Sequence, residues 1–141
     1  MDPRLLKSLE RHEGYRDKAY QDSEGIWTIG YGTNLQELRI DEFLARKWLL
    51  ETTEEATSAA RRFPEYQKLD TDARRNVFIE MVFNMGPSRV AGFRNMLGAI
   101  RECDWARAAT EMLDSRWARQ VGVRATRLSA LMENGHYQDD A

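Results

Sequence analysis

Apolar residues recur at helical spacing along most of this chain, and the pattern breaks in one early stretch. Over residues 2–12, Leu5, Leu6 and Leu9 form a stripe among charged neighbours, with Asp2 and Pro3 suited to open a short helix. Helical spacing stops at Gly14. From Tyr15 to Tyr31 two aromatic residues flank a charged run, the turn-forming residues Asp22, Ser23, Glu24 and Gly25 follow, and Ile26-Trp27-Thr28-Ile29-Gly30-Tyr31 is rich in strand formers, which predicts a hairpin. From about Ile40 to Arg62 there is neither proline nor glycine, and Phe43, Leu44, Trp48 and Leu49 fall at helical spacing. A helix of about 20 residues is on the order of 30 Å long, enough to join two lobes. Phe63-Pro64 ends it, since the residue before a proline avoids helical geometry.

The next helix, opened by Asp70 or Thr71, carries Val77, Phe78, Met81, Val82 and Met85 and stops near Gly86-Pro87. Its apolar content makes it the expected core of a second lobe. Short helices are predicted at 93–101, 104–113, 115–120 and 124–132, followed by a polar tail, residues 133–141, expected to be loosely held. No internal repeat or low-complexity stretch interrupts the pattern.

Composition narrows the function classes. At 141 residues and 42 % apolar, the chain can bury a core without metals or disulfides, and one domain is expected. The single Cys103 cannot form an internal bridge and is read as a packing residue in a protein made in a reducing compartment. No segment approaches the roughly 20 apolar residues that span a bilayer, and the N-terminus lacks the apolar centre of a signal peptide, so neither stable membrane insertion nor conventional export is expected. A net charge of −2 gives no global reason to expect nucleic acid as a partner. Residues 71–127 carry ten basic groups, all arginine, against six acids. That local excess suits an anionic polymer, or equally a set of solvated helix faces.

The candidate chemistry lies in the early stretch. On an extended strand Ile26, Thr28, Gly30 and Gly32 share one side and Trp27, Ile29 and Tyr31 the other. The first side is nearly bare apart from one hydroxyl. Such a strip allows a rigid ligand to lie against backbone, although glycines that merely relieve crowding give the same pattern. Glu13 is placed at the end of the first helix and Asp22 at the hairpin turn. Two carboxylates facing one site, one protonated and one ionised, are the working parts of most glycoside hydrolases, although 23 acids in one chain also produce pairs by chance.

These residues are familiar as a set. Glu13, Asp22 and Thr28 within HEGYRDKAYQDSEGIWTIGYG resemble the catalytic Glu-Asp-Thr triad of the phage-type lysozymes, glycoside hydrolase family 24. NVFIEMVFNMGPSRVAGF (76–93) is similar to that family's central buried helix and the turn after it, and SRWARQVGVRATR (115–127) to its Ser-Arg-Trp segment with spaced arginines. The three blocks keep the family's order and cover nearly the whole chain.

The resemblance implies an α+β, mostly helical, two-lobe fold. A small N-terminal β-hairpin lobe spans about 13–39, a bridging helix about 40–62, and a helical lobe about 65–132 together with residues 1–12, with the substrate between the lobes. It implies an endolysin that cuts the β-1,4 bond between N-acetylmuramic acid and N-acetylglucosamine in peptidoglycan. By position, Glu13 is the proton donor, Asp22 the ionised partner and Thr28 a holder of the attacking water; Arg124 matches the arginine that pairs with and orients the acid. Asn34, Phe83 and Asn84 match sugar-contacting positions, and Trp117 packs inside the helical lobe. His12 is given no role and is read as a surface residue. No cofactor or metal is implied, and lone histidines and one cysteine offer no ligand set. The expected protein is a monomer that collects in the host cytoplasm and reaches the wall, on the periplasmic side, once a partner such as a holin opens the inner membrane.

Some features depart from the family pattern. The segment between hairpin and bridging helix is shorter, which removes one wall of the expected substrate site, and Thr33 stands where the pattern has a histidine. The net acidity weakens attraction to an anionic wall. Three rivals share the resemblance: a non-catalytic peptidoglycan-binding module, which would need none of the triad; a lysozyme domain of a phage tail or antibacterial effector; and a lytic transglycosylase, which needs no second carboxylate.

Overall fold

The structure, a computed structural model, describes residues 1–138; residues 139–141, the end of the polar tail, lie outside the described residues. The chain divides after Ala45 into two compact units.

The first unit begins with α1 (Pro3–Glu13). Asp2 caps it by accepting the Arg4 N–H at 2.9 Å, and the Arg4 guanidinium beside it holds the Asp2 carboxyl below the usual carboxylate range. Gly14, at φ 72°, ends the helix. No side chain of α1 is buried, and Leu5, Leu6 and Leu9 are each about half exposed. The division groups α1 with the sheet, whereas the sequence reading placed residues 1–12 with the helical lobe.

Three antiparallel strands follow in the order β1 (Arg16–Gln21), β2 (Trp27–Gly30), β3 (Thr33–Asn34). The expected hairpin is β1 and β2, paired Tyr20 to Thr28 and Gln21 to Trp27, with a register irregularity between Arg16 and Tyr20. β3 is an addition to that expectation. It pairs Asn34 with Thr28 and Thr33 with Ile29. The expected alternation of Ile26, Thr28, Gly30 and Gly32 on one bare face stops short. Gly30 and Gly32 have φ of 68° and 77°, so the chain leaves extended geometry there and turns into β3.

α2 (Glu42–Arg61) fulfils the long-helix expectation and runs on into the second unit. Asp41 accepts the Leu44 N–H at 2.8 Å at its start. Its threonines, 52, 53 and 57, donate to carbonyls one turn back, which satisfies their hydroxyls inside a helix. After Phe63 a short 3-10 segment (Pro64–Lys68) leads to α3 (Asp72–Met85), capped by the Thr71 hydroxyl. Gly86 ends α3 and Pro87 opens the five-residue α4 (Pro87–Ala91), an element the sequence pattern did not separate. α5 (Arg94–Arg101), α6 (Trp105–Leu113), α7 (Arg116–Val121) and α8 (Val123–Asn134) match the four predicted short helices.

The core of the second unit is built around α3. Val77, Phe78, Met81 and Val82 pack with Ala56 and Ala60 of α2, Met96 and Ile100 of α5, Met112 of α6, Trp117 of α7, and Leu128 and Met132 of α8. Phe63 and Tyr66 meet the Phe78 ring edge to face, with centroids 5.1 and 6.3 Å away. Four of the largest fully buried side chains are methionines, whose unbranched stems fill irregular space between short helices. Cys103 departs from its expected packing role. It is exposed, at φ 54° in the turn between α5 and α6.

One buried charge ties the ends of this unit together. Arg74 donates to the carbonyls of Met132 and Glu133 at 2.8 and 2.7 Å, pairs with Asp70 at 2.9 Å and lies over the Trp105 ring. The guanidinium thereby satisfies carbonyls at the C-terminal end of α8 that have no partner within the helix. The tail is also anchored through Asn76, which donates to the Tyr137 hydroxyl at 3.0 Å, so its first residues are held more firmly than the sequence suggested.

Candidate active site

Glu13, Asp22, Thr28 and Asn34 all belong to the first unit. Asp22 opens the β1–β2 turn, and its side chain builds that turn. Oδ1 accepts the backbone N–H groups of Glu24 and Ile26, both at 2.9 Å, while its own N–H donates to the Ile26 carbonyl at 2.9 Å. This is the local ring that Asp and Asn form with the backbone in turns, and it fixes the direction of the carboxylate.

Thr28 lies in the centre of the sheet, between Tyr20 on β1 and Asn34 on β3, and is the one buried residue of β2. Its hydroxyl donates to the Ile26 carbonyl at 2.9 Å. That bond uses the only proton on the oxygen, so Thr28 can offer any further partner only lone pairs. Asn34 turns its own Oδ1 to the Gln36 N–H at 2.9 Å. Among the described residues the side-chain amide nitrogen makes no hydrogen bond and can meet another acceptor.

Glu13 is the last residue of α1 and is exposed. Its carboxyl group lies against the Gly32 backbone: a Cβ at residue 32 would fall 2.5 Å from Oε2 and 3.1 Å from Cδ. Gly32 therefore has two reasons to be glycine, its positive φ and this approach. His12 beside it is also exposed and sits 3.4 Å from the Ser8 hydroxyl on its own helix, in keeping with a surface role.

Phe83, Asn84 and Arg124 belong to the second unit. Phe83 is partly exposed, and Asn84 accepts a hydrogen bond from the indole N–H of Trp117 at 2.7 Å. Trp117 itself is buried and meets Phe93 edge to face, as expected of a packing residue. Arg124, in the first turn of α8, donates through Nε to Oε2 of Glu80 at 2.9 Å. Glu80 is a residue that the sequence reading passed over. The available signal was its spacing, three and four positions before Phe83 and Asn84, which puts it on the same face of α3. Phe83, Glu80 and Arg124 line one depression of about 470 Å³ with Thr53, Asn76 and Tyr137.

Among the described residues no group of three or more His, Cys, Asp or Glu side chains is arranged to hold a metal ion. No described helix is long and apolar enough to cross a membrane.

The phage lysozyme family model matches residues 10–134. Two proteins of Dictyostelium discoideum, probable T4-type lysozymes 1 and 2, are 31 % and 39 % identical to the chain. The alignments cover 90 % and 93 % of this chain and 92 % and 94 % of those proteins. The pre-baseplate central spike protein Gp5 of Enterobacteria phage T4 is 29 % identical over 95 % of this chain, which corresponds to 28 % of Gp5. With the family model matching most of its length, this α+β chain belongs to the phage lysozyme family.

Proposed function

We propose that the protein is a muramidase: it hydrolyses the β-1,4 bond between N-acetylmuramic acid and N-acetylglucosamine in bacterial peptidoglycan. The observation that carries this reading is the grouping of Glu13, Asp22 and Thr28 in one unit, with Asp22 locked by the turn and Glu13 seated on a glycine. Family membership supports the reaction class. So does a further relative, named peptidoglycan hydrolase gp36, of Pseudomonas phage phiKMV, 27 % identical over 84 % of this chain and 14 % of its own length.

In the proposed reaction the Glu13 carboxyl gives its proton to the glycosidic oxygen as the bond from that oxygen to the anomeric carbon breaks. A water attacks the anomeric carbon from the opposite face and passes a proton to Asp22. Because Oδ1 of Asp22 is committed to two backbone N–H groups, Oδ2 is the oxygen that takes this proton. Thr28, whose proton is held by Ile26, accepts the water's other O–H and aims its lone pair. The configuration inverts, which calls for carboxyl groups roughly 6.5–9.5 Å apart so that a water fits.

Arg124 is the proposed orienting cation for Glu13, and Asn34, Phe83 and Asn84 the proposed sugar contacts, with the free amide of Asn34 suited to an acetamido carbonyl. The protein is proposed to act as a monomer on glycan strands of the wall, without a cofactor, after accumulating in the host cytoplasm and gaining access through a holin. The match to part of Gp5 supports a second reading as a tail-borne lysozyme domain.

The test compares wild type with Glu13→Gln on purified sacculi, scoring new reducing ends. The expected loss is at least about a hundredfold, the contribution of a general acid. Equal release by both proteins overturns the assignment.

A further inference from the structure

We infer that Glu80 is a positioning residue for this reaction: through its bond to Nε it holds the Arg124 guanidinium so that the two Nη groups are presented to an acceptor. The inference rests on the proposed role of Arg124 as an orienting cation and adds the residue that fixes it.

The local physics requires such a residue. Arg124 lies in the first turn of α8, two residues after Gly122, at the positive end of the helix dipole. A cation there is disfavoured by the helix itself and, with four rotatable bonds, has many orientations available. Glu80 answers both problems. It projects from α3, one of the most buried helices of the unit, so its backbone is well anchored. Its Oε2 accepts from Nε at 2.9 Å, a charge-assisted bond across two helices 44 residues apart in sequence.

The choice of atom matters. Binding at Nε fixes the guanidinium plane while leaving both Nη groups, which carry no hydrogen bond among the described residues, on the far side of the fork. A carboxylate that took the two Nη groups bidentately would consume the donors that a second acceptor needs. Both side chains are between a third and a half exposed, so the bond is reachable from solvent and contributes orientation more than stability. Phe83 lines the same depression, which puts a proposed sugar contact next to the pair.

The test measures kcat and KM on soluble glycan fragments for Glu80→Ala, Glu80→Gln, Arg124→Ala and the Ala–Ala double variant, with Tm recorded for each and the Arg124 Nε–H signal followed by NMR. Glu80→Ala is expected to lower kcat about threefold with little change in KM or Tm. Glu80→Gln, whose amide oxygen can accept the same bond, recovers most of that loss. In the Arg124→Ala background, Glu80→Ala costs nothing further, because Glu80 acts only through Arg124. The Nε–H signal is expected to be sharp in wild type and to broaden in Glu80→Ala. Additive losses, or a signal indifferent to residue 80, would overturn the inference. An unchanged kcat in Glu80→Ala would also overturn it, while leaving the muramidase reading to the separate Glu13→Gln result.

Discussion

At the scale of single residues, Asp22 does two jobs with two oxygens. Oδ1 closes the turn by accepting from Glu24 and Ile26, and the proposed chemistry belongs to the other oxygen. The two jobs can be separated. Asparagine keeps an oxygen able to accept both N–H groups but cannot take a proton, whereas alanine removes both functions. Asp22→Asn is therefore expected to keep Tm within about 1 °C of wild type while its turnover falls about a hundredfold or more. Asp22→Ala should lose turnover to the same degree and also lower Tm by several degrees, since the N–H groups of Glu24 and Ile26 lose their acceptor. Thermal melting and turnover on sacculi check both. The resemblance to the phage-type lysozymes pointed to Glu13, Asp22 and Thr28 as a set, but not to the bonds they make. A carboxylate that builds a turn and one that is merely near it look alike in sequence. Glu80 was passed over for a related reason: a charged residue on a helix usually points to solvent, and its partner lies on another helix.

At the scale of elements, the helices were legible because their ends are marked. Thr71, Asp104 and Ser115 cap α3, α6 and α7 through their side chains, and Gly86 and Gly135 stop α3 and α8. Elements of two to five residues were not legible. β3, the 3-10 segment at Pro64–Lys68 and α4 are too short for a period to register, and each forms in response to what precedes it. The same holds for the glycines that end β2, where a positive φ and an extended one share the same letter. A different device closes α8. Arg74 reaches from α3 to the carbonyls of Met132 and Glu133, and a Cβ at Gly135 would come within 2.7 Å of its Cζ. Arg74→Ala leaves those carbonyls without the charge-assisted donor and empties the space over Trp105. The expected cost is about 3 kcal/mol of stability in urea unfolding, with the m-value unchanged. A cost under about 1 kcal/mol would mean that the helix end is satisfied in some other way.

At the scale of the whole molecule, the arginine excess in residues 71–127 looks different once its partners are known. Arg74, Arg75, Arg101, Arg107 and Arg124 form ion pairs, so half of the ten arginines are engaged within the unit. The local charge that suggested an anionic polymer is in good part structural. With a net charge of −2, broad electrostatic attraction is a poor candidate for the source of substrate affinity, and specific contacts must supply it. In the proposed reaction one acid, one base and one water break an acetal bond. Digesting sacculi in heavy-oxygen water and weighing the released fragments by mass spectrometry tests it most directly. Every new end is expected to be a reducing N-acetylmuramic acid carrying one labelled oxygen. Unlabelled 1,6-anhydromuramic ends, or new reducing ends on N-acetylglucosamine, would contradict it.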